Sequence, residues 1–334
     1  MNNTSFTVIM PVYNTSKEYL SESVESVLNL DYDNYEFILI DDGSTNEETI
    51  QLLSQYEDKC IIIHQENKGI SASRLVGLSK ATKDYIVFLD SDDHIDEKGL
   101  KVLDEIIRNN HPDVVMYDPP RYLKDYRKTE FRNKFLKEGI VLKDEILKQL
   151  CLLHINCIGD KFVKRELYEG MENEIDTSFI NGEDLQQSTF IVLKAESFYY
   201  IDYPIEYYRY NLNQREYYDA TRLNDINFTV PTYRMLFEKN NQYNHLLGTY
   251  KTAAVNSVVY NAFKICKIKL PFKERKRILD ELNQQEIVKV LSGIKEKLPA
   301  VSSILFSLLT GKRYYLLTAA ATLYNRIYGL DNLY

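Results

Sequence analysis

The sequence lacks the features that mark secreted, zinc-stabilised and membrane-spanning proteins. It has four cysteines, none in C-x-x-C spacing: Cys60, Cys151, Cys157 and Cys266. This scatter predicts reduced thiols in a cytoplasmic protein rather than a disulfide or zinc framework. No basic segment followed by an apolar one opens the chain, and no apolar run reaches the ~18 residues that cross a bilayer. We therefore expect a soluble or peripheral protein.

Two nucleotide-binding fingerprints are also missing. Neither G-x-x-x-x-G-K-[ST] nor G-x-G-x-x-G occurs, so the sequence has no P-loop and no dinucleotide fingerprint. The net charge of −8 is unevenly spread, because residues 264–334 hold 13 Lys and Arg against 6 Asp and Glu, a balance of +7. Residues 1–263 therefore carry −15, and the basic end of the chain is expected to meet an anionic partner.

Strand and helix patterns alternate through the first 118 residues. The strand-like segments are "FTVIMPVY", with Pro11 expected to end it, "YEFILID", "CIIIHQ", "YIVFLD" and "DVVMYD". Helical spacing lies between them, for example in "SKEYLSESVESVLNL", where Ser16 is a candidate N-cap. This alternation predicts an α/β fold with a mainly parallel, doubly wound sheet. Ligands in such sheets bind at the carboxyl ends of the strands, where polar residues collect here.

An acidic cluster follows the strand at residues 85–89. Asp90 and Asp92 lie one residue apart there, and crowded aspartates disfavour their ionised forms unless a cation neutralises them. Mg²⁺ or Mn²⁺ binds through one or two carboxylates plus substrate phosphates, which makes the pair a candidate anchor for a metal–diphosphate. The alternative is an acidic surface turn in which Asp93 caps the next helix. His94 is either a further ligand or, as we favour, an exposed turn histidine.

Two further loops carry polar residues. In "IDDGST", Asp41 and Asp42 either accept hydrogen bonds from a nucleobase or ribose or simply form a strand-to-helix turn. In "ENKGISASRLVGL", a turn holding Asn67, Lys68 and Gly69 leads into a helix that carries Arg74. A helix N-terminus with nearby cations suits a phosphate.

These motifs together resemble a known family. "VIMPVYN", "ILIDDGST", "ENKGISASRLVGL" and "FLDSDD", in this order and spacing, are similar to the bacterial family 2 glycosyltransferases of the GT-A fold. Ser73-Arg74-Leu75 replaces the family's Ala-Arg-Asn, and the later "GDK" replaces Asn-Lys. The resemblance is strong over residues 5–118, moderate to about residue 211 through "NGEDLQQS" and "YYRYN", and absent beyond.

The resemblance implies a nucleotide-sugar donor, usually a UDP-sugar, and inversion at the anomeric carbon. The donor-binding residues it implies, with those of the turn above, are Pro11, Val12, Tyr13, Asp41, Asp42, Asn67, Lys68, Gly69, Arg74, Asp90 and Ser91. It also implies that Asp92, with Asp90, holds Mn²⁺ or Mg²⁺. "GEDL" lies where the family keeps its catalytic base, so Asp184 is that candidate, with Glu183 beside it. The alternative for this pair is favourable placement of acids at a helix N-terminus.

The chain contains no tryptophan. The Q-x-x-R-W motif of the family's processive members is therefore absent, which favours a single addition. Arg209 and Arg215 lie in or near a tyrosine-rich β segment and are candidates for holding a diphosphate on the acceptor side, although a half-buried strand explains the tyrosines equally well.

We expect a catalytic domain over residues 1–219, with donor-binding and acceptor-side halves at 1–118 and 119–219. Residues 119–145 read as a loop, and residues 220–334 as a helical C-terminal region. Its basic, apolar segments predict either peripheral contact at the inner face of the plasma membrane or packing and homo-oligomerisation; no nucleic-acid motif accompanies the charge.

The function expected from the sequence is metal-dependent transfer of a hexosyl or N-acetylhexosaminyl group. The acceptor would be a glycan or polyprenyl-linked glycan in the synthesis of a bacterial surface polysaccharide such as capsule or teichoic acid. A sugar nucleotidyltransferase would instead need a glycine-rich loop where "PVYN" stands. The non-enzymatic alternative is a glycan-binding or scaffold protein of the same fold.

Overall fold

A computed structural model describes residues 3–118, 121–122, 136–179, 182–209 and 227–328. The chain divides into two compact units. The first unit contains residues 1–146 and 156–215, and the second contains residues 147–155 and 216–334. The predicted boundary at residues 219 and 220 lies outside the described residues and stays a prediction. The sequence did not predict that residues 147–155 belong with the C-terminal unit.

The first unit carries eleven strands among its described residues: β1 (Phe6–Val12), β2 (Tyr35–Asp41), β3 (Ile61–His64), β4 (Tyr85–Phe88), β5 (His94–Ile95), β6 (Val114–Met116), β7 (Arg121–Tyr122), β8 (Gly139–Val141), β9 (Lys161–Lys164), β10 (Phe198–Tyr200) and β11 (Glu206–Arg209). Its helices are α1 (Lys17–Leu28), α2 (Glu47–Ser54), α3 (Ile70–Lys80), α4 (Gly99–Asn110), α5 (Lys143–Cys151), which runs on into the second unit, and α6 (Glu183–Lys194). Ser16 caps α1 as predicted, accepting from the Tyr19 amide.

Eight of the strands form one sheet in the order β3-β2-β1-β4-β9-β6-β10-β8. β1, β2, β3 and β4 are mutually parallel, whereas β9 runs antiparallel between β4 and β6. The mainly parallel α/β sheet that the sequence predicts is therefore confirmed. The strand order reverses between β1 and β4, which puts the ligand-binding crevice of such a sheet at their carboxyl ends.

Helices cover both faces of this sheet. On one face, Val8, Met10 and Val12 of β1 pack with apolar residues of α1, α2 and α4 in a single core. On the other face, α3 lies so close to β1 that a Cβ added to Gly77 would overlap the Ile9 side chain. Strands buried on both faces read as continuous apolar runs, which is why the sequence revealed them.

Pro11 lies inside β1 rather than ending it, which corrects the prediction. It pairs in register with Ile40 of β2, whereas β4 pairs with β1 only from Phe6 to Ile9. The proline nitrogen faces the β4 side beyond the last hydrogen bond, from Leu89 N to Ile9 O (3.0 Å). No hydrogen-bond donor is needed there, so proline is tolerated.

A small second sheet has the order β5-β11-β7. His94 lies in β5 opposite Tyr207 and is half-buried, so the predicted exposed turn histidine is wrong. The interval 119–145, predicted as a loop, contains β7, β8 and the start of α5 in its described part. Two- and three-residue strands are too short to show alternation, so no pattern in the sequence indicated them.

The second unit is helical, as the sequence predicts for the region after residue 220. Its helices are α7 (Val230–Tyr233), α8 (Leu247–Lys267), α9 (Phe272–Asn283), α10 (Glu286–Gly293), α11 (Ala300–Thr310) and α12 (Tyr314–Tyr328). α8 is the central helix, since α9, α10, α11 and α12 all pack on it. Among the described residues, no helix combines the length and the apolar character needed to cross a membrane.

Candidate active site

The acidic cluster forms a tight turn at the carboxyl end of β4. The Asp93 amide donates to Asp90 O (3.0 Å), and the hydroxyl of Ser23 on α1 donates to the same oxygen (3.3 Å). The hydroxyls of Ser91 and Thr15 lie 2.5 Å apart. The turn is therefore fixed by hydrogen bonds to the loop after β1 and to α1, while the Asp90 side chain stays about half exposed (45%).

Arg74 connects this turn to α6. Its side chain, held by α3, is only 3% exposed. Nη1 donates to Asp184 Oδ1 (2.5 Å) and to Gln187 Oε1 (3.4 Å), and Nη2 lies 3.6 Å from Asp90 Oδ1. The guanidinium lies over the Phe88 ring, 5.4 Å from its centre. The structure therefore brings together Arg74, Asp90 and Asp184, which the sequence singled out from three separate motifs.

The carboxyl groups around Arg74 are short of positive charge. Although the Asp90 side chain is partly exposed, desolvation by the surrounding protein raises its pKa to about 6, with Asp184 and Asp92 adding to the rise and Arg74 opposing it. Burial also raises the pKa of Glu183 to about 7, again with a contribution from Asp184. The pKa of Asp92 is raised by burial too. One guanidinium thus does not keep the pKa values of these acids in their usual range, and Glu183 is only partly ionised near neutral pH.

A divalent ion beside these carboxyl groups would supply the positive charge that they lack. No group of three or more His, Cys, Asp or Glu side chains among the described residues is arranged to hold a metal by itself. Mg²⁺ and Mn²⁺ do not need one, because they bind through one or two carboxylates together with substrate phosphates and water. Asp90 and Asp92 are the residues that could meet that smaller requirement.

Asp93 does not cap the helix that follows, which rules out that part of the alternative interpretation. α4 begins at Gly99, and Asp93 is buried with its Oδ1 accepting from the Arg209 amide (2.7 Å). Its carboxyl group hydrogen-bonds to that of Glu206, which also accepts from the hydroxyl of Tyr117 (2.8 Å). Burial raises the pKa of both acids well above the usual range. These raised pKa values favour a proton shared between the two carboxyl groups in the folded protein.

Arg209, a predicted acceptor-side residue, is buried behind the turn. Its Nε donates to Asp92 O (2.7 Å) and its Nη2 to Glu22 Oε2 on α1 (2.5 Å), and the guanidinium stacks over Tyr19 at 4.3 Å. These contacts hold the acidic turn against α1 and β11. The predicted contact of Arg209 with an acceptor stays a prediction, and Arg215 lies outside the described residues.

The carboxylates of Asp41 and Asp42 both accept hydrogen bonds from other residues of the protein. Asp41 accepts from the Ser44 amide (2.9 Å) and from His64 Nδ1 (2.8 Å); although burial opposes it, these hydrogen bonds lower its pKa. The amides of Lys68 and Gly69 donate to Asp42 (2.9 and 2.8 Å). This contact closes the Asn67–Gly69 turn, and contact of these residues with a nucleotide stays a prediction.

The loop after β1 presents the remaining predicted donor residues. Pro11 and Val12 are buried in the strand, whereas Tyr13 is half exposed (52%). Asn14 follows with a φ of 52°, a left-handed conformation that asparagine tolerates. Its Oδ1 accepts from the amides of Thr45 and Asn46, at 2.7 and 2.8 Å. The loops after β1 and β2 are thus joined beside Tyr13.

Several residues that shape the site were not predicted from the sequence. Glu22 bonds to Arg209, Gln187 bonds to Arg74, and the carboxyl group of Glu206 bonds to that of Asp93. Lys161 is fully buried and bonds to Asp160 and to the carbonyl of Cys157. A charged residue inside a β segment, such as Glu206 in β11 or Lys161 in β9, is a signal that could have indicated two of them.

Comparison with known proteins finds similarity to glycosyltransferases. Residues 7–171 match the family model "Glycosyl transferase family 2". Glycosyltransferase GlyG of Streptococcus pneumoniae serotype 4 is 39% identical over 112 residues, which are 33% of this chain and 37% of GlyG. The minor teichoic acid biosynthesis protein GgaB of Bacillus subtilis is 28% identical over 207 residues, 59% of this chain and 22% of GgaB. The chain thus spans less than half the length of these relatives.

A solved structure matches nearly the whole chain. The crystal structure of S. aureus TarS 1-349 in complex with UDP-GlcNAc superposes with a TM-score of 0.72 at 18% identity, covering 97% of this chain and 92% of that one. At this identity the match concerns the fold. It extends beyond residue 211, where the sequence shows no resemblance to the family, and so includes the C-terminal helices.

Proposed function

Because residues 7–171 match the family model "Glycosyl transferase family 2", we propose that the protein belongs to this family and transfers a sugar from a nucleotide-sugar donor to an acceptor hydroxyl. The donor is proposed to be a UDP-sugar and the transfer to invert the anomeric carbon. The observation that carries the proposal is the convergence of Asp90, Arg74 and Asp184 at the carboxyl edge between β1 and β4.

The proposed acceptor is a glycan or polyprenyl-linked glycan of a bacterial surface polysaccharide. Two similar proteins support this class, since one is named as a teichoic acid biosynthesis protein and the other was crystallised with UDP-GlcNAc. The sugar would accordingly be a hexosyl or N-acetylhexosaminyl group. Because the chain covers only part of its curated relatives, these assignments are proposals for this chain.

The chemistry requires a base on the acceptor side and charge stabilisation on the donor side. Asp184 is proposed to take the proton of the acceptor hydroxyl as that oxygen attacks C1 of the sugar. Arg74 fixes its carboxylate, and the Ile158 amide lies 3.5 Å from its second oxygen. A base held at one angle beside the reacting centre lowers the entropic part of the barrier.

Glu183 is the second candidate for the proton. Its pKa of about 7 is well matched to proton transfer near neutral pH. Its buried Oε2 has no hydrogen-bond partner in the part of the chain that the structure describes. The two adjacent acids thus differ in their partners, since Asp184 is paired with Arg74, whereas the pKa of Glu183 lies near neutral pH, where it can both take up and release a proton.

Metal dependence is part of the proposal. Asp92 and Asp90 would hold Mn²⁺ or Mg²⁺, which would supply positive charge for the departing diphosphate. Arg74 then has the separate task of keeping Asp184 and Asp90 in place, because a guanidinium binds carboxylates in a fixed, planar geometry.

Two variants test the site. Asp92→Asn is expected to lower Mn²⁺-dependent hydrolysis of UDP-GlcNAc at least 100-fold while leaving the melting temperature of the unliganded protein within a few degrees.

Asp184→Asn should keep UDP binding and lower the rate of transfer by a factor of about 10³, as removal of a general base does. Glu183→Gln is the matched comparison, and an acid limb of the pH–rate profile that disappears only in this variant would assign the base to Glu183.

Three results would count against the proposal. Full turnover by Asp92→Asn would remove this residue from metal binding. UDP binding without any hydrolysis or transfer in the unaltered protein would favour the non-catalytic glycan-binding or scaffold alternative. Release of pyrophosphate from a sugar phosphate and UTP would favour the nucleotidyltransferase. A thermal-shift screen of nucleotide-sugars with and without Mn²⁺ precedes these assays, because a ligand of the native state raises its melting temperature.

A further inference from the structure

The two helices α11 and α12 form a hairpin that uses one face of each helix for packing. Both helices pack on α8 and on each other. α11 buries Phe306 and Leu309, and the hydroxyl of Ser302 donates to Asn256 on α8 (2.8 Å). α12 buries Tyr314 and Leu317. The inner faces of the hairpin therefore belong to the core of the second unit.

The outer faces of the same helices are apolar as well. Val301 and Ile304 on α11 are 67% and 60% exposed, and Tyr315, Leu316 and Leu323 on α12 are 75%, 57% and 60% exposed. Val301 and Ile304 are three residues apart, and Leu323 follows Leu316 by seven residues, about two helical turns, so each pair lies along one side of its helix. Tyr315 is adjacent to Leu316. We call these five residues the hairpin surface. They are half of the ten large hydrophobic side chains that are exposed in the described part of the chain.

Basic residues border the hairpin surface. Residues 297–328 contain no Asp or Glu. Lys297 precedes α11, and Lys312 and Arg313 form the turn between the two helices, all three of them exposed. Lys312 lies 3.5 Å from Asp280 of α9. The exposed Lys273 of α9 extends the basic border, since its neighbour Phe272 contacts the hairpin.

An aromatic pair lies at the edge of this surface. The rings of Phe272 and Tyr315 are stacked, with centres 4.1 Å apart and planes 15° from parallel. Tyr315 is nevertheless the most exposed residue of the hairpin surface (75%). Tyrosine has an apolar ring and a polar hydroxyl and is enriched at the boundary between lipid and water for that reason.

We propose that the hairpin surface docks on an anionic lipid bilayer, with its apolar side chains at the level of the headgroups and Lys297, Lys312 and Arg313 against lipid phosphates. Apolar helix faces bordered by Lys and Arg bind such surfaces through buried apolar area and electrostatic attraction. An anionic leaflet is complementary in charge to this border. Docking is a property of the second unit alone and does not depend on the proposed sugar transfer.

A second copy of the chain is a less suitable occupant. In a two-fold dimer the same patch meets itself, so the basic residues of one copy would approach those of the other. Like charges across an interface are unfavourable, and no acidic side chain from residues 297–328 is present to offset them. Charge complementarity therefore favours the lipid surface over self-association.

The test is co-sedimentation of the full chain with two kinds of vesicle, phosphatidylcholine alone and phosphatidylcholine mixed with phosphatidylglycerol. We expect binding to the mixed vesicles only, weakened by added salt. The double variant Ile304→Ser with Leu316→Ser should lower the partition coefficient at least tenfold, and Arg313→Gln about fivefold, since each basic residue at such a surface contributes about 1 kcal/mol.

The matched control is Ile140→Ser with Leu142→Ser, which removes equally exposed apolar residues (74% and 77%) from the first unit. It should bind like the unaltered chain, and hydrolysis of UDP-GlcNAc without vesicles should be unchanged in every variant. Equal pelleting of all variants, or equal binding to neutral vesicles, would overturn the proposal. A concentration-dependent dimer in light scattering that Ile304→Ser with Leu316→Ser disperses, without vesicle binding, would assign the surface to a second copy instead.

Discussion

At the scale of single residues, this protein tolerates buried acids in two different ways. Asp184 is compensated by a cation, because Arg74 contacts it directly. Asp93 and Glu206 lie on the far side of the same turn and share a proton instead. Whether a buried acid is paired with a cation or protonated depends on neighbours that are distant in sequence. The sequence could therefore indicate that these acids matter but not how each is neutralised.

The shared proton predicts how stability depends on pH. The folded state binds this proton more tightly than the unfolded chain, because burial raises the pKa of both Asp93 and Glu206. The free energy of unfolding should therefore fall as the pH rises through the raised pKa, by up to about 1.4 kcal/mol per pH unit for one proton. Glu206→Gln should flatten this slope, measured by chemical denaturation over a series of pH values.

The control for this prediction is Glu57→Gln, which alters an exposed acid of the same unit. It should leave the slope as it is in the unaltered chain. Stability that rose with pH in the unaltered chain, or a slope that Glu206→Gln left in place, would mean that the pair is ionised rather than protonated.

At the scale of helices and strands, the sequence predicted what is long and buried. β1, β2 and the helices between the first strands were found because their apolar residues recur with a clear period. The insertion of β9 between β4 and β6 was not found, since sheet order depends on contacts between distant segments. The pairing of β5 with β11 was also missed, because β5 has only two residues and is too short to show a pattern.

The close approach of α3 and β1 yields a prediction at this scale. Gly77→Ala adds a methyl group that overlaps Ile9, and overfilling a packed core costs about 1–3 kcal/mol. Ser79→Ala in the same helix replaces an exposed residue by the same side chain and should change stability by no more than about 0.5 kcal/mol. Denaturant midpoints of the two variants measure the difference, and equal midpoints would mean that α3 shifts without cost.

At the scale of the whole molecule, the chain consists of two units that are not consecutive in sequence. Residues 147–155 join the C-terminal unit although residues 156–215 return to the first. The sequence suggested two parts with opposite charge, and this much was accessible because composition changes along the chain. The assignment of residues 147–155 to the C-terminal unit could not be predicted, because local sequence patterns do not indicate which core a helix packs into.

Two units with separate cores predict two unfolding transitions in calorimetry rather than one. The residues proposed to bind UDP all lie in the first unit, so UDP with Mn²⁺ should raise the melting temperature of only one transition. At a concentration 100 times the dissociation constant, the ligand should raise the free energy of unfolding of that unit by about 2.7 kcal/mol. A single transition that moves as a whole with UDP would show that the units unfold together.

Pro11 has a consequence for how the crevice is kept accessible. Its nitrogen carries no hydrogen and faces β4 beyond Ile9, the last residue that pairs with that strand. β4 therefore has no donor on β1 with which to continue, and the pairing of the two strands ends at this point. This gap in the hydrogen-bond ladder follows from the covalent structure of proline, so no bound molecule is needed to create it.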